Sequence, residues 1–394
     1  MARADLLETL WRAALEAVDP ERLVSRFVAG RPFPSARRRG LFACGKAAVA
    51  MASGAFGSSP FDAALVVAPR GASVPGALRD STRFASHPEP DASSVAAARA
   101  ALAFFRSFGP GDEILALVSG GTSSLLCLPR EGLTLREKRA RIRRAMRAGW
   151  PIERLNRLRV SLSAIKGGRL ADATRARVTT LVLSDVPGAD LGVVGSGPTV
   201  SARKATDRTF LLADNRTGRA AAAAAAERAG WTVRLERRAL DGEAAEAGRA
   251  FARRLREGAR RHPEGFVLLA GGETTVSIGG RAGVGGRNQE AALAAAIEIA
   301  GETRLSILAA GSDGIDGNSE NAGARVDGGT IFRARGLDPE RVLARHEAAA
   351  FFAASGGAFR PGATGTNVAD WMFGLAAPEN RRRPLSRLRA KIEG

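Results

Sequence analysis

The sequence predicts an α/β protein of two domains, each with a mainly parallel sheet flanked by helices, on three observations. Short apolar runs alternate with helical segments along the whole chain, which is how parallel sheets with helical crossovers are built. Five of those runs break into loops rich in glycine, hydroxyls and charge, the pattern of strands that carry a ligand site at their carboxyl ends. At 394 residues the chain suits two domains of roughly 100–200 residues.

The elements follow in order. Helical spacing runs from Leu6 to Phe27, and a Pro- and Arg-rich turn spans Arg31–Arg39. The first strand, Arg39–Ala43, enters the turn Cys44-Gly45-Lys46 and then a small-residue helix, Ala47–Gly54. A second strand covers Ala63–Ala68. Prolines make Ser86–Asp91 a rigid loop, and Asp91 is placed to cap a helix over Ala92–Phe108. The strand Ile114–Val118 breaks into Ser119-Gly120-Gly121-Thr122-Ser123-Ser124, and a basic helix follows across Arg136–Arg147. Asn156–Arg175 is expected to end as a helix, ahead of the strand Thr179–Leu183 and its Ser184-Asp185 loop. Alanines favour a helix over Arg219–Ala229, and Trp231–Leu235 returns as a strand. The best boundary lies within Arg237–Gly248, giving domains 1–240 and 241–394, with the final helix packing back on the first. Phe266–Ala270 runs into Gly271–Thr275, and Leu305–Ala310 into Gly311–Gly317.

Composition excludes several classes. No apolar stretch is long enough for a membrane span, and the N-terminus lacks the pattern of a secretory signal. Two cysteines, Cys44 and Cys127, each beside an apolar run, fit reduced thiols in a cytoplasmic protein, and the three histidines show no metal-ligand spacing. The net charge of +19 suggests nucleic acid, yet the excess is almost all arginine, tyrosine is absent, and aromatics make up 5% of residues. The basic helix therefore reads as a solvated face, and no specific nucleic-acid partner is expected.

The loop residues point to anions. Lys46, at a strand-to-helix turn in apolar surroundings, is a cation aimed at a ligand. Ser119, Gly120, Gly121, Thr122 and Ser123 can cradle a phosphate or carboxylate, although a serine-capped turn looks the same and the Walker pattern is missing. Lys166 and Arg169 stand three apart, on one face of the expected helix. Arg287 offers a planar fork for anionic oxygens. Asp185, Asp313 and Asp316 are the metal candidates, with Asp185 also a candidate base; Asp313 and Asp316 equally suit tight turns. Glu273 can order Thr274 or bind metal, and His87 is expected to be structural.

Taken together, the motifs resemble the glycerate 2-kinase family, whose members end in a MOFRL domain. The matching pieces are Gly45-Lys46-Ala47-Ala48, His87-Pro88, Val118–Ser123, Leu162–Leu170 around Lys166-Gly167-Gly168-Arg169, Leu183–Val186, Gly195–Thr199, Gly271–Val276, Gly285–Glu290, Gly311–Gly317 and Thr364–Val368. They run through nearly the whole chain in the family's order. Val160 and Ser161 replace a basic pair, Ala189 replaces a carboxylate before Asp190, and Ser86 stands where the family has glycine. The resemblance implies a Rossmann-like larger domain and an active site in the inter-domain cleft. It implies transfer of the ATP γ-phosphoryl to the 2-hydroxyl of D-glycerate with Mg²⁺, catalysed around Lys46, Asp185, Arg287 and Asp313. Asn288, Thr366 and Asn367 join the binding residues on the same ground, and a homodimer is an assembly the reading allows. Two rivals stand beside it. An NAD(P)H-dependent hydroxypyruvate reductase needs G-x-G-x-x-G, which Gly283-Val284-Gly285-Gly286 fails to supply. A non-catalytic nucleic-acid binder has no need of five glycine-rich turns.

Overall fold

A computed structural model describes residues 3–30, 36–150, 152–186, 191–201, 206–280 and 283–379. Part of the expected Arg31–Arg39 turn, Ala189 with Asp190, and the final basic helix lie outside the described residues.

The first sheet contains β1 (Arg39–Cys44), β2 (Ala63–Pro69), β3 (Thr82–Ala85), β4 (Glu113–Ser119), β5 (Arg177–Leu183) and β6 (Arg208–Ala213). Its order is β3-β2-β1-β4-β5-β6 and every pairing is parallel. This is the doubly wound dinucleotide-fold order, whose direction reverses between β1 and β4. Such a sheet is covered on both faces, which explains why β4 is buried at every position.

The second sheet contains β7 (Thr232–Leu235), β8 (Phe266–Gly272), β9 (Leu305–Gly311), β10 (Gly323–Asp327), β11 (Ala358–Phe359) and β12 (Asp370–Ala376), in the order β11-β10-β9-β12-β8-β7. The expectation of a mainly parallel sheet fails here. Only β7–β8 is parallel, and β12 is antiparallel to both β8 and β9. β9 passes to β10 through a loop without a crossover helix, so the chain reverses. β12 likewise arrives from a loop across the sheet's edge and inserts between strands that the sequence would have paired.

Helices complete the layers: α1 (Arg3–Ala17), α2 (Pro20–Gly30), α3 (Ala48–Phe56), α4 (Ala92–Arg106), α5 (Thr122–Leu125), α6 (Leu135–Arg147), α7 (Ile152–Ser161), α8 (Asn215–Arg228), α9 (Ala244–Arg261), α10 (Arg287–Glu298), α11 (Thr330–Arg333), α12 (Pro339–Ala344) and α13 (Ala348–Ser355). The single helix expected over Leu6–Phe27 is two, because Pro20 opens α2 where its missing N–H is harmless. Asp91 caps α4 as expected, in a capping box with Ser94. The helix expected toward Arg175 ends at Ser161; Gly167 and Gly168 have φ of +64° and +81°. Lys166 and Arg169 therefore occupy turns and share no helical face.

The sheets exchange elements near the expected boundary. β7 belongs to the second sheet, so the changeover falls between Ala213 and Thr232, before residue 240. α8 packs on β7 and β8, while α1 lies against α8, β9 and β12. Trp11 of α1 is fully buried and meets Phe359 and Trp371 edge-on at 5.1 and 6.4 Å. Edge-on aromatic pairs in a dry core add about 0.5–1.5 kcal/mol each beyond their buried area. The first helix of the chain thus clamps the second sheet.

Candidate active site

The turns after β1 and β4 face each other at the reversal point. Gly45 has φ of +131°, and a Cβ there would stand 2.1 Å from Ser119 Oγ, so only glycine lets the turns touch. The Lys46 amide donates to the Gly120 carbonyl at 2.8 Å, and the Ala47 amide donates to Ser119 Oγ at 3.1 Å. Thr122 Oγ1 reaches the carbonyls of both Cys44 and Ser119 at 2.8 Å. Ser119 and Thr122 are thus engaged in joining the turns, which holds Lys46 at a defined place.

The Lys46 ammonium reaches across the cleft to Asp313 Oδ2, 2.8 Å away in the loop after β9. A Cβ on Gly121 would touch both His87 Cδ2 and Lys46 Cγ at 3.2 Å. His87 therefore belongs to the site, a position that its proline neighbours obscured. Burial first, and then the Lys46 charge, hold its imidazole below the ordinary pKa, so it is neutral at physiological pH.

Asp185, after β5, packs on the same glycine turn. A Cβ on Gly120 would lie 2.0 Å from Asp185 Oδ2 and 2.7 Å from Asn367 Nδ2. Burial pushes the Asp185 carboxyl up to about 6; Glu273 adds to this, while Lys46 and Arg287 oppose it. The charges of loops from both sheets thus act on one carboxylate.

Arg287 opens α10 and is held from two sides. Its Nε and Nη2 engage the Asp370 carboxylate at 2.5 and 3.2 Å, and its Nη1 meets Glu273 at 2.8 Å. Asp370 is only 4% exposed and is positioned by Asn215, whose side-chain amide donates to the carbonyls of Val368 and Asp370. Sequence reasoning missed Asp370 and Asn215. Asp370 lies two residues beyond the Thr364–Val368 motif, and nothing local marks Asn215.

The remaining candidates are more structural in their contacts. Asp316 accepts four hydrogen bonds, from the amides and side chains of Asn288 and Gln289, at 2.8–3.2 Å. It thereby satisfies the first turn of α10, and Asn288 is committed to it. Thr366 donates to the Val18 carbonyl, and Arg169 Nη1 to the carbonyls of Val160, Ser163 and Lys166. Thr274 is buried beside Glu273. Ser123 Oγ lies 2.9 Å from Ser196 Oγ and accepts from Lys166 Nζ at 2.7 Å. The geometry gathers Lys46, His87, Gly120, Gly121, Ser123, Asp185, Asn367, Glu273, Arg287 and Asp313 where the loops of the two sheets meet. It assigns Ser119, Thr122, Arg169, Asn288, Asp316 and Thr366 to the scaffold that shapes the site.

Comparison with known proteins adds independent ground. The family described as "Domain of unknown function (DUF4147)" matches residues 6–228, and the MOFRL family matches residues 266–370. A D-glycerate 2-kinase of Thermotoga maritima is 34% identical over 405 residues, 92% of this chain and 96% of that one. A protein of Agrobacterium vitis named "Putative hydroxypyruvate reductase" is 37% identical over 409 residues, 93% of this chain and 92% of its own. The crystal structure of a Thermotoga maritima glycerate kinase superposes with a TM-score of 0.85 at 32% identity, covering 95% of this chain and 99% of that one.

Proposed function

The chain belongs to the glycerate 2-kinase family, a DUF4147 region followed by a MOFRL region, and from that membership we infer that it transfers the γ-phosphoryl of ATP to the 2-hydroxyl of D-glycerate. The observation that carries the reading is the convergence of Lys46, the β4 turn, Asp185 and Arg287 at the reversal point of the first sheet.

Phosphoryl transfer asks the protein for positioning and charge more than for covalent chemistry. Lys46 supplies a cation at the sheet's carboxyl end, and its pairing with Asp313 keeps the ammonium oriented across the cleft. Asp185, ionised at neutral pH with its carboxyl near 6, is suited to orient the 2-hydroxyl and accept its proton. Arg287 holds Glu273 and Asp370 in place and so fixes the geometry of the second-sheet side. Mg²⁺ fits the donor set, since the buried Asp185 carboxylate is repelled by Glu273 and a cation relieves that repulsion. In that case Asp185 would be a ligand in place of a base, with Asp313 or Glu273 beside it, and the ion would neutralise charge between the phosphates. The hydrogen bonds around Asp316 leave it the least suited of the three aspartates. Buried thiols at Cys44, pushed up to about 12 by burial, and Cys127 are consistent with a cytoplasmic setting. Among the described residues no helix is long and apolar enough to cross a membrane.

The sheet order and the A. vitis relative favour one second reading, a nicotinamide-dependent hydroxypyruvate reductase. The residues fit it poorly: Lys46 stands in the first β-to-α turn where a pyrophosphate needs glycine. Pro69-Arg70 ends β2 where an acid would hold the ribose, and Arg70 is already paired with Asp91. A coupled ADP-release assay over small hydroxy acids, with the product's phosphate position assigned, tests the kinase. Formation of 2-phosphoglycerate is expected; oxidation of NADH or NADPH by hydroxypyruvate without ADP release would overturn the reading.

A further inference from the structure

The basic helix α6 carries a lysine that its surface pattern conceals. Lys138 is 1% exposed, and it shares the buried face of α6 with Ala145, two turns further along. Among the described residues its ammonium has no oxygen partner, and the Cys127 thiol is the group placed to interact with it. Lys166, 2% exposed, donates to the carbonyl and the hydroxyl of Ser123 at 2.9 and 2.7 Å.

Backbone pairing brings these cations together. Pro129 bridges Ser163, the Ala164 amide donates to the Leu128 carbonyl at 3.0 Å, and the Arg130 amide donates to Leu162 at 3.2 Å. Cys127, just ahead of that bridge, acts electrostatically on both lysines. Arg159, at the end of α7, is half-buried and adds a third positive charge that Lys166 feels; its Nη1 donates to Asn156. Among the described residues, no carboxylate appears with the groups that act most strongly on the two lysines, and the negative-leaning groups named there are thiols. Burying unpaired charge is strongly unfavourable, so a cluster of this kind is completed by an anion.

We propose that Lys138, Lys166 and Arg159, with the Ser123 hydroxyl, form the receptor for the carboxylate of the hydroxy-acid substrate. Ser123 is the half-exposed member and provides the approach; Lys166 hydrogen-bonds it directly, and Lys138 is the buried cation beside Lys166. The assignment rests on the kinase reading, which places the phosphates at Lys46 and the β4 turn and leaves the acid's own charge needing a separate cation. Burial, with the Lys138 charge next, pulls the Lys166 ammonium down to about 7. An anion beside it reverses that shift, so the receptor takes up a proton as it fills.

Calorimetric titration of D-glycerate and of inorganic phosphate, in buffers of different ionisation enthalpy near pH 7.5, tests the proposal on wild type, Lys138→Met and Arg159→Gln. D-glycerate should bind wild type with proton uptake. Lys138→Met should weaken that binding about tenfold or more and raise the KM for glycerate in step, with the KM for ATP nearly unchanged. Glycerate affinity unaltered in Lys138→Met overturns the receptor, as does a Lys138-dependent site that takes inorganic phosphate and refuses glycerate. Should the methionine variant fail to fold, Arg159→Gln carries the same comparison, because Arg159 is only half-buried. Glycerate binding that depends on Lys138, in a protein that releases no ADP, keeps the receptor and removes the kinase. Phosphorylation of glycerate at an unchanged KM in Lys138→Met does the reverse.

Discussion

Cations on the two sides of the cleft are supported differently. On the first-sheet side, Lys46 forms its ion pair with Asp313 of the second-sheet loops and also feels Asp185, while Lys138 and Lys166 have thiols and hydroxyls for company. On the second-sheet side, Arg287 is fixed by Asp370 and Glu273, and the first turn of α10 is satisfied by Asp316. One side presents positive charge with little local compensation and is built to receive anions. The other is neutralised within itself and is built to hold geometry.

Substitutions that remove one cation from each side probe this contrast. Lys46→Met should lower kcat by roughly a hundredfold or more, the scale of losing a preorganised charge in phosphoryl transfer, while Tm stays close to wild type. Steady-state kinetics beside a thermal melt checks it, and a matching loss of stability would erase the distinction between the sides. Arg287→Met should show the opposite balance. It strands the buried Asp370 carboxylate, and breaking such a pair costs on the order of 3 kcal/mol, so Tm should fall clearly whether or not substrate is present. An unchanged Tm would mean that Arg287 is a ligand group and not a brace.

Asp185→Asn gives a smaller, pH-dependent effect. Burial raises the folded-state carboxyl to about 6, above its ordinary value of 3.8. Between these values the folded form keeps a proton that the unfolded chain has lost, so this group's contribution to stability falls as pH rises from about 4 to about 6. The cost is absent below that window and complete above it. In metal-free protein the amide should therefore raise Tm at pH 7.5 by roughly 2–4 °C and change it little at pH 4, while turnover is lost. A Tm gain that is the same at both pH values would show that Asp185 carries no such penalty.

Much of the first sheet was legible in the chain because local pattern and tertiary role agree. Arg39–Ala43, Ile114–Val118 and Thr179–Leu183 are continuous apolar runs because a parallel sheet is buried on both faces, and each ends in the turn that its position demands. The second sheet was legible only at β7, β8 and β9. β12 carries aspartate at its start and glycine within it, and its place between β8 and β9 depends on contacts far along the chain, such as Asp370 with Gly311. The solvated face expected of α6 holds for its arginines and fails at Lys138 for a related reason. A helix with six arginines and a lysine looks solvated by composition, and nothing local distinguishes Lys138 from its neighbours.

The sequence by itself determined the alternation of strand and helix, the glycine turns, and the pool of charged residues from which the site is drawn. These follow from steric preference, hydrophobic period and loop chemistry within a few residues. Tertiary structure alone decided which charges meet. It put Lys46 against Asp313, Arg287 against Asp370, and Lys138 beside Lys166. It also turned Asp316 from a metal candidate into the cap of α10. Electrostatic partners are chosen by distance and burial, and neither can be read along a chain whose strands are joined out of order.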